Sequence, residues 1–304
     1  VNATTTINAW VEAHDVTGAP FCSDTVSVEY TILQPVDYHF TDSESGQSYY
    51  PNGSTVYNLD FGQENTLPWL MNVPEGLPIT YSSSDEAVAT VDAEGHITLT
   101  GAGYVKITAS NEATSVYAAH EEWVELEIRP SDPQLSLNKG IYYTGTTVTM
   151  TPTVDNGTMY YKIGYNGELT AYTGPITLPV GTNEIIPITR CGTEEKHMDS
   201  YGNAHQTYFV YDEPQFSEPE GSYNQPLEVT ITTNIPAEDT FAAIYYKLND
   251  SKTDSTLYEP GSKIIITEST KVAAYIHVRE SDDYVSDPVE AHYIIRQDAG
   301  VQFV

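Results

Sequence analysis

The chain holds eight histidines, His14, His39, His96, His120, His197, His205, His277 and His292, and two cysteines, Cys22 and Cys191. Metal and nucleophile chemistry would start from these. Zinc hydrolysis needs two imidazoles one helical turn apart with a carboxylate beside them, and no His-Glu-x-x-His occurs. A strained nucleophile elbow reads Gly-x-Ser-x-Gly and a phosphate cradle reads Gly-x-x-x-x-Gly-Lys-Ser/Thr; neither is present. The dispersed histidines read as strand or surface residues. Cys191 and His197 could in principle form a nucleophile and base. They are separated across a loop with no third residue to orient the imidazole, so they read as an isolated thiol and a loop histidine.

Carboxylates are abundant, with 43 Asp and Glu in 304 residues. Glycoside hydrolysis needs two of them at a fixed separation across a cleft. At this composition a pair by itself means little, and no catalytic residue is assigned. Calcium needs several oxygens converging on one loop or junction. The weak candidates are Asp282 and Asp283 with Asp287, then Asp42 with Glu44 and Asp250 with Asp254. None fits the loop pattern with a central Gly and a closing Glu. Solvated loops, with no cofactor and no metal, are therefore expected. Carbohydrate would stack on exposed aromatic rings. Trp10 and Tyr275 are the weak candidates, because both occupy the same place in hairpins described below. Trp69 and Trp123 lie in another segment. Against this, sandwich cores bury Trp and Tyr, and one of each pair Tyr160/Tyr161 and Tyr245/Tyr246 should face a core.

The elements that would position these groups are strands. Three runs alternate apolar and polar residues: Ala87/Ala89/Val91, Ile97/Leu99 and Val105/Ile107/Ala109. That period of two is the signature of half-buried strands. Asp92 to Gly95 supplies a tight turn, and Val88, Val91, Ile97 and Ile107 are expected core residues. Val, Ile, Thr and 24 Tyr dominate while 18 Pro and 20 Gly punctuate short runs, which favours an all-β sandwich class. No run approaches the roughly 20 apolar residues of a spanning helix, so no membrane insertion is expected within the chain. The formal net charge is −31. It would repel nucleic acid and anionic membranes, and it is spread along the chain as a solvated surface would be.

An internal repeat of about 80 residues organises the second half. Gly140-Ile141-Tyr142, Val148-Thr149-Met150-Thr151, Tyr160-Tyr161-Lys162 and Tyr172-Thr173-Gly174-Pro175 recur as Gly221-Ser222-Tyr223, Val229-Thr230-Ile231-Thr232, Tyr245-Tyr246-Lys247 and Tyr258-Glu259-Pro260-Gly261. Each copy ends in a hairpin, clearest as 271–278 followed by 289–295. Pro187 lacks an N–H and should lie at an edge or bulge of its copy. The N-terminus shows the hairpin alone: Ile7, Ala9, Val11 and Ala13 align with Val272, Ala274, Ile276 and Val278. Boundaries are expected at prolines, dividing the chain into 1–34, 35–129, 130–213 and 214–304. Residues 1–34 would then be the closing hairpin of a truncated copy. Cys22 and Cys191 fall in different segments and are expected to be free thiols.

The stretch Ser82-Ser83, Val88-Ala89-Thr90-Val91-Asp92, Gly95 and Gly101-x-Gly103-x-x-x-Ile107-Thr108-Ala109 closely resembles the bacterial immunoglobulin-like domain, group 2, at about 35–129. The copies at 130–213 and 214–304 resemble the immunoglobulin-like module at the C-terminus of chitobiases and β-hexosaminidases. They depart from it at the turn, where Asn166-Gly167 stands in one copy and Asn249-Asp250-Ser251 in the other. These resemblances imply tandem immunoglobulin-like β-sandwiches, without catalysis, in a bacterial surface or secreted protein. The expected role is that of a spacer or adhesion segment, monomeric, meeting extracellular protein or glycan. The alternative is the accessory region of a secreted glycoside hydrolase whose catalytic domain lies outside the chain. Each sandwich is expected to be stabilised by its own core.

Overall fold

The computed structural model describes residues 3–42, 56–64, 66–249, 255–280 and 283–296. Every regular element among them is a strand. The fold is all-β, a series of immunoglobulin-like sandwiches, and it divides into two compact units. The first comprises 1–131 with 154–157 and 191–199, and the second 132–153, 158–190 and 200–304.

In the first unit the alternating runs form one layer. Thr80–Ser83, Gly103–Asn111 and His120–Arg129 are antiparallel neighbours, and Val56–Asp60 adds in parallel to His120–Arg129. Alternation puts Val105, Ile107 and Ala109 on the buried face of Gly103–Asn111. Two further pairs, His39–Thr41 with Trp69–Met71 and Ala89–Val91 with Ile97–Leu99, complete the strands around the core. Val88, Ile97 and Ile107 are buried there with Phe40 and Leu126, while Val91 packs at the margin. The Asp92–Gly95 turn forms as expected. Asp92 Oδ1 accepts the N–H groups of Glu94 at 3.0 Å and His96 at 2.8 Å. Gly95 sits at φ 88°, where a side chain is disfavoured and would also strike the Tyr81 ring.

In the second unit the repeat is visible as repeated topology. One sheet runs Gly140–Tyr143, Gln206–Tyr211, Gly181–Gly192, Thr158–Ile163, Thr170–Ala171; the other runs Gly221–Tyr223, Val289–Ile295, Thr270–Arg279, Ala242–Leu248, Thr256–Leu257. The first pair of each is parallel and the remaining pairs antiparallel. Each sheet is covered by two short ladders: Gln134–Leu135 with Met150–Thr151 and Thr147–Val148 with Ile176–Thr177, then Gln215–Phe216 with Ile231–Thr232 and Leu227–Val229 with Ile264–Ile266. Registers also coincide. Tyr208 faces Asn183 as Tyr293 faces Thr270, and Tyr161 faces Pro187 as Tyr246 faces Ala274. Tyr161 and Tyr246 are the members of their pairs that pack on a core.

Pro187, expected at an edge or bulge, stands where one ladder of its strand has stopped. It is buried in the interior strand Gly181–Gly192. The ladder to Gln206–Tyr211 has ended by then, its last register pair being Ile185 with Gln206. The end of a ladder relieves the missing N–H as an edge would.

Candidate functional site

Trp10 is exposed at the bend between Ala3–Ala9 and Glu12–His14 in the first unit. Tyr275 belongs to the second unit, half-buried on Thr270–Arg279. Residues two apart on a strand share a face. Tyr275, His277 and the cross-strand neighbour Tyr245 accordingly form one outward strip. Tyr245 and Tyr275 lie with ring centroids 6.1 Å apart and planes 16° off parallel. The Arg279 guanidinium stands 5.6 Å from the Tyr245 centroid, and the Tyr275 hydroxyl donates to Ser255 Oγ at 2.6 Å. In the neighbouring copy the register places buried Ile188 where Tyr275 stands, so the strip is not a property of the repeat.

Asp283 is exposed, with its carboxylate 3.3 Å from His277 Nε2. The exposed Asp287 offers its backbone carbonyl to the Ser286 hydroxyl at 3.0 Å. Asp282 lies outside the described residues, as do Glu44, Asp250 and Asp254. Among the described residues, Asp92, Glu94 and His96 bring potential ligand atoms within 4.8 Å of one another. Sequence reasoning passed over this group, although alternate residues across a tight turn are its signal. All three are exposed. The Asp92 carboxylate already serves the turn, and the His96 N–H, with its imidazole 3.0 Å away, holds the group below the usual carboxylate range.

The built features of the molecule are its joints, and here the expectation of separate cores fails. In the first unit Val154 and Cys191 are buried in the same core as Val88 and Ile107, although they follow the 130–133 prolines. The Asn156 amide donates to the Ala102 carbonyl at 2.7 Å and accepts its N–H at 3.2 Å. Arg129 donates to the Asp199 carbonyl at 2.6 Å, and the Lys196 ammonium lies 3.9 Å over the Tyr104 ring. Burial, then the nearby Asp199 charge, pushes the Cys191 thiol up to about 11.

In the second unit Phe209, Tyr211, Ile276 and Val278 form a fully buried cluster, with Ile141, Ile235, Ala242 and Tyr284 packed against it. It spans Glu213-Pro214. On Thr270–Arg279, Val272 and Ala274 face their own sandwich core, while Ile276 and Val278, on the same face further along, enter the joint. Polar pairs frame it: Tyr211 to Asp239 at 2.5 Å, the Asp212 N–H to Asn234 Oδ1 at 2.6 Å, and Lys139 to Glu280 at 2.8 Å. Each large apolar side chain so buried is worth about 1.5–3 kcal/mol. Cys191 and Val278 occupy the same register position of the repeat, and the loops at 154–157 and 234–239 follow equivalent strands. The same positions of each copy thus supply joint residues.

The family described as the intimin immunoglobulin-like domain matches residues 74–114. This lies inside the stretch whose residues resemble the group 2 domain. The chitobiase-type resemblance of the copies rests on their residues alone. No curated relative matches the chain. Solved structures with similarity include three N-terminal domains of the bacteriophage RB49 outer capsid protein Hoc, at 13% identity over 75% of this chain and 93% of that one, TM-score 0.27. Extracellular domains 3–5 of Drosophila OTK share 11% identity over 79% and 94%, TM-score 0.26. Fibronectin(III)-like modules of Clostridium thermocellum CbhA share 12% over 56% and 95%, TM-score 0.22. At these scores they bear on neither function nor arrangement. A stretch within the chain, residues 74–114, is similar to a bacterial immunoglobulin-like domain.

Proposed function

We propose that the chain is a non-catalytic, stiffened segment of a bacterial cell-surface or secreted protein, with modules at about 35–129, 130–213 and 214–304, serving as spacer and adhesion array. The carrying observation is the apolar joint of Phe209, Tyr211, Ile276 and Val278. A flexible tether would expose polar linker; a buried joint resists bending and transmits load. The match at 74–114 to a domain type named for intimin supports an extracellular, adhesive setting. Single-molecule pulling on the full chain tests the reading. The second unit should yield as one mechanical event, and Val278→Asp should split it into two. Two independent events in the unaltered chain would sink it.

The Tyr245–Tyr275 strip with Arg279 supports a second reading, the accessory region of a secreted glycoside hydrolase. Stacked rings with a guanidinium suit a glycan. A glycan array on the full chain and on Tyr275→Ala decides between them. Binding that Tyr275→Ala abolishes favours the accessory region; an array with no binder leaves the spacer.

A further inference from the structure

The outward face of the first unit's main sheet carries a charged pocket. On Gly103–Asn111, Tyr104 and Lys106 alternate with the buried Val105 and Ile107; on His120–Arg129, Glu125 and Glu127 alternate with the buried Val124 and Leu126. The register sets Lys106 beside Glu125 and Tyr104 beside Glu127. The 191–199 segment belongs to the same unit and brings Lys196 onto this face. With Ser84 these side chains line a pocket of about 160 Å³. The chain has 12 Lys and Arg against 43 Asp and Glu, so a pocket with as many ammonium groups as carboxylates differs from the surface around it.

Rings, not acids, hold both lysines. Lys196 lies 3.9 Å over Tyr104, whose hydroxyl donates to the His197 carbonyl at 3.4 Å. Lys106 lies 4.8 Å over Trp123, which the register places one step along the same face. The ring quadrupole attracts a cation so placed, and the side chain loses rotamer freedom before any ligand arrives. Among the described residues neither ammonium and neither carboxylate has an ion-pair partner, although Glu125 is the direct cross-strand neighbour of Lys106. Four charged groups thus border one pocket with their pairing capacity unused.

That set defines the ligand. A bare anion would meet two carboxylates and a bare cation two ammonium groups, each an unfavourable like-charge contact. A ligand that satisfies all four carries one anionic group for the lysines and several donors for the acids, because a carboxylate only accepts. Glu125 and Glu127 stand about 7 Å apart along the strand, so the donors must be spread over the ligand. A zwitterion brings one cationic centre, whereas a sugar ring brings hydroxyls on successive carbons. The pocket is smaller than those that take drug-sized ligands, which limits the recognised unit to a single ring. We infer that it binds a carboxylated sugar ring, the uronic-acid unit of an acidic glycan. The site adds a ligand to the proposed array and uses no residue of the Tyr245–Tyr275 strip.

The test is a calorimetric titration of the full chain with sodium glucuronate, which should show one saturable site in the millimolar range or tighter. Glucose and glucuronamide, which lack the charge, should bind about tenfold more weakly. Lys106→Gln and Lys196→Gln should each weaken glucuronate about tenfold while the first unit's melting transition stays in place. Glu125→Ala with Glu127→Ala should weaken glucuronate and strengthen sulfate, because the like-charge barrier to a bare anion is then gone. Tyr275→Ala should leave the titration unchanged, which separates this site from the glycan reading of the second unit. Three results overturn the inference. One is a folded chain with no saturable glucuronate binding. Another is sulfate or glycylglycine binding as tightly as glucuronate, which means a simple anion or zwitterion site. The third is glucuronate binding that survives Lys106→Gln combined with Lys196→Gln.

Discussion

The hydroxyl of Tyr211 donates a 2.5 Å hydrogen bond to Oδ2 of Asp239, 28 residues further along the chain and beyond the first strands of the next copy. Asp239 Oδ1 meanwhile accepts the N–H groups of Phe241 at 3.1 Å and Ala242 at 3.2 Å. One carboxylate thus holds its own loop in shape and clamps the preceding copy. Burial, then this carboxylate, raises the ionisation of Tyr211 well above the ordinary phenol range.

Removing the clamp should loosen the joint and spare the sandwiches. Tyr211→Phe deletes a charge-assisted bond, of a class worth about 1.5–3 kcal/mol. A calorimetric scan of the full chain should show the second unit's transition lowered and the first unit's transition unmoved. The double cycle with Asp239→Ala should return a coupling of about 0.5–3 kcal/mol. Additive single effects would mean the bond contributes nothing.

Alkaline pH should weaken the second unit first. Burial pushes Tyr208 and Tyr293 up to about 12. Unfolded, each would ionise near 10. Their contribution is therefore complete below about pH 10 and fades as pH rises through about 12. Each retained proton steepens the decline by about 1.4 kcal/mol per pH unit. Denaturant midpoints between pH 9 and 12 should fall, and Tyr208→Phe should make the slope shallower. A slope that Tyr208→Phe leaves unchanged would refute the assignment.

Gly101 is fixed by space. A Cβ there would lie 2.3 Å from the Ala87 carbonyl oxygen and 2.7 Å from Asn156 Oδ1. Gly101→Ala should destabilise the first unit by about 1–3 kcal/mol, the cost of overpacking. Asn156→Ala should cost less in the Gly101→Ala background than alone, because there it also clears one of the two obstacles while giving up the same bonds to Ala102. Urea titration followed by Trp fluorescence reads both.

The two thiols should react at very different rates. Cys22 is exposed and Cys191 buried, with its thiol raised to about 11. Thiolate is the reactive form. A maleimide at pH 7.5 should modify one thiol per chain within minutes and the second only after denaturant is added. Peptide mapping should place the first at Cys22. Early modification of Cys191 would mean that the joint opens in solution.

Alternation and turn chemistry are local, so Ile107 as core, Asp92–Gly95 as turn and the paired copies of the Tyr-Tyr-Lys strand could all be read from residues in order. The hairpin of Ile7 with Val28 was equally legible, because a later copy supplied its register. The Asp92, Glu94 and His96 group was within reach of the same logic. What residue order could not contain is which half of a long apolar face meets its own sandwich. Val272 and Val278 carry the same side chain on the same face of one strand, yet one closes a module core and the other a joint. Cys191 and Val154 look like ordinary strand and loop residues, and only the docked fold buries them with Ile107. Period-two patterning reports that a side chain is buried; the identity of the surface burying it depends on where one sheet ends and the next begins. That is set by packing between segments far apart in the chain.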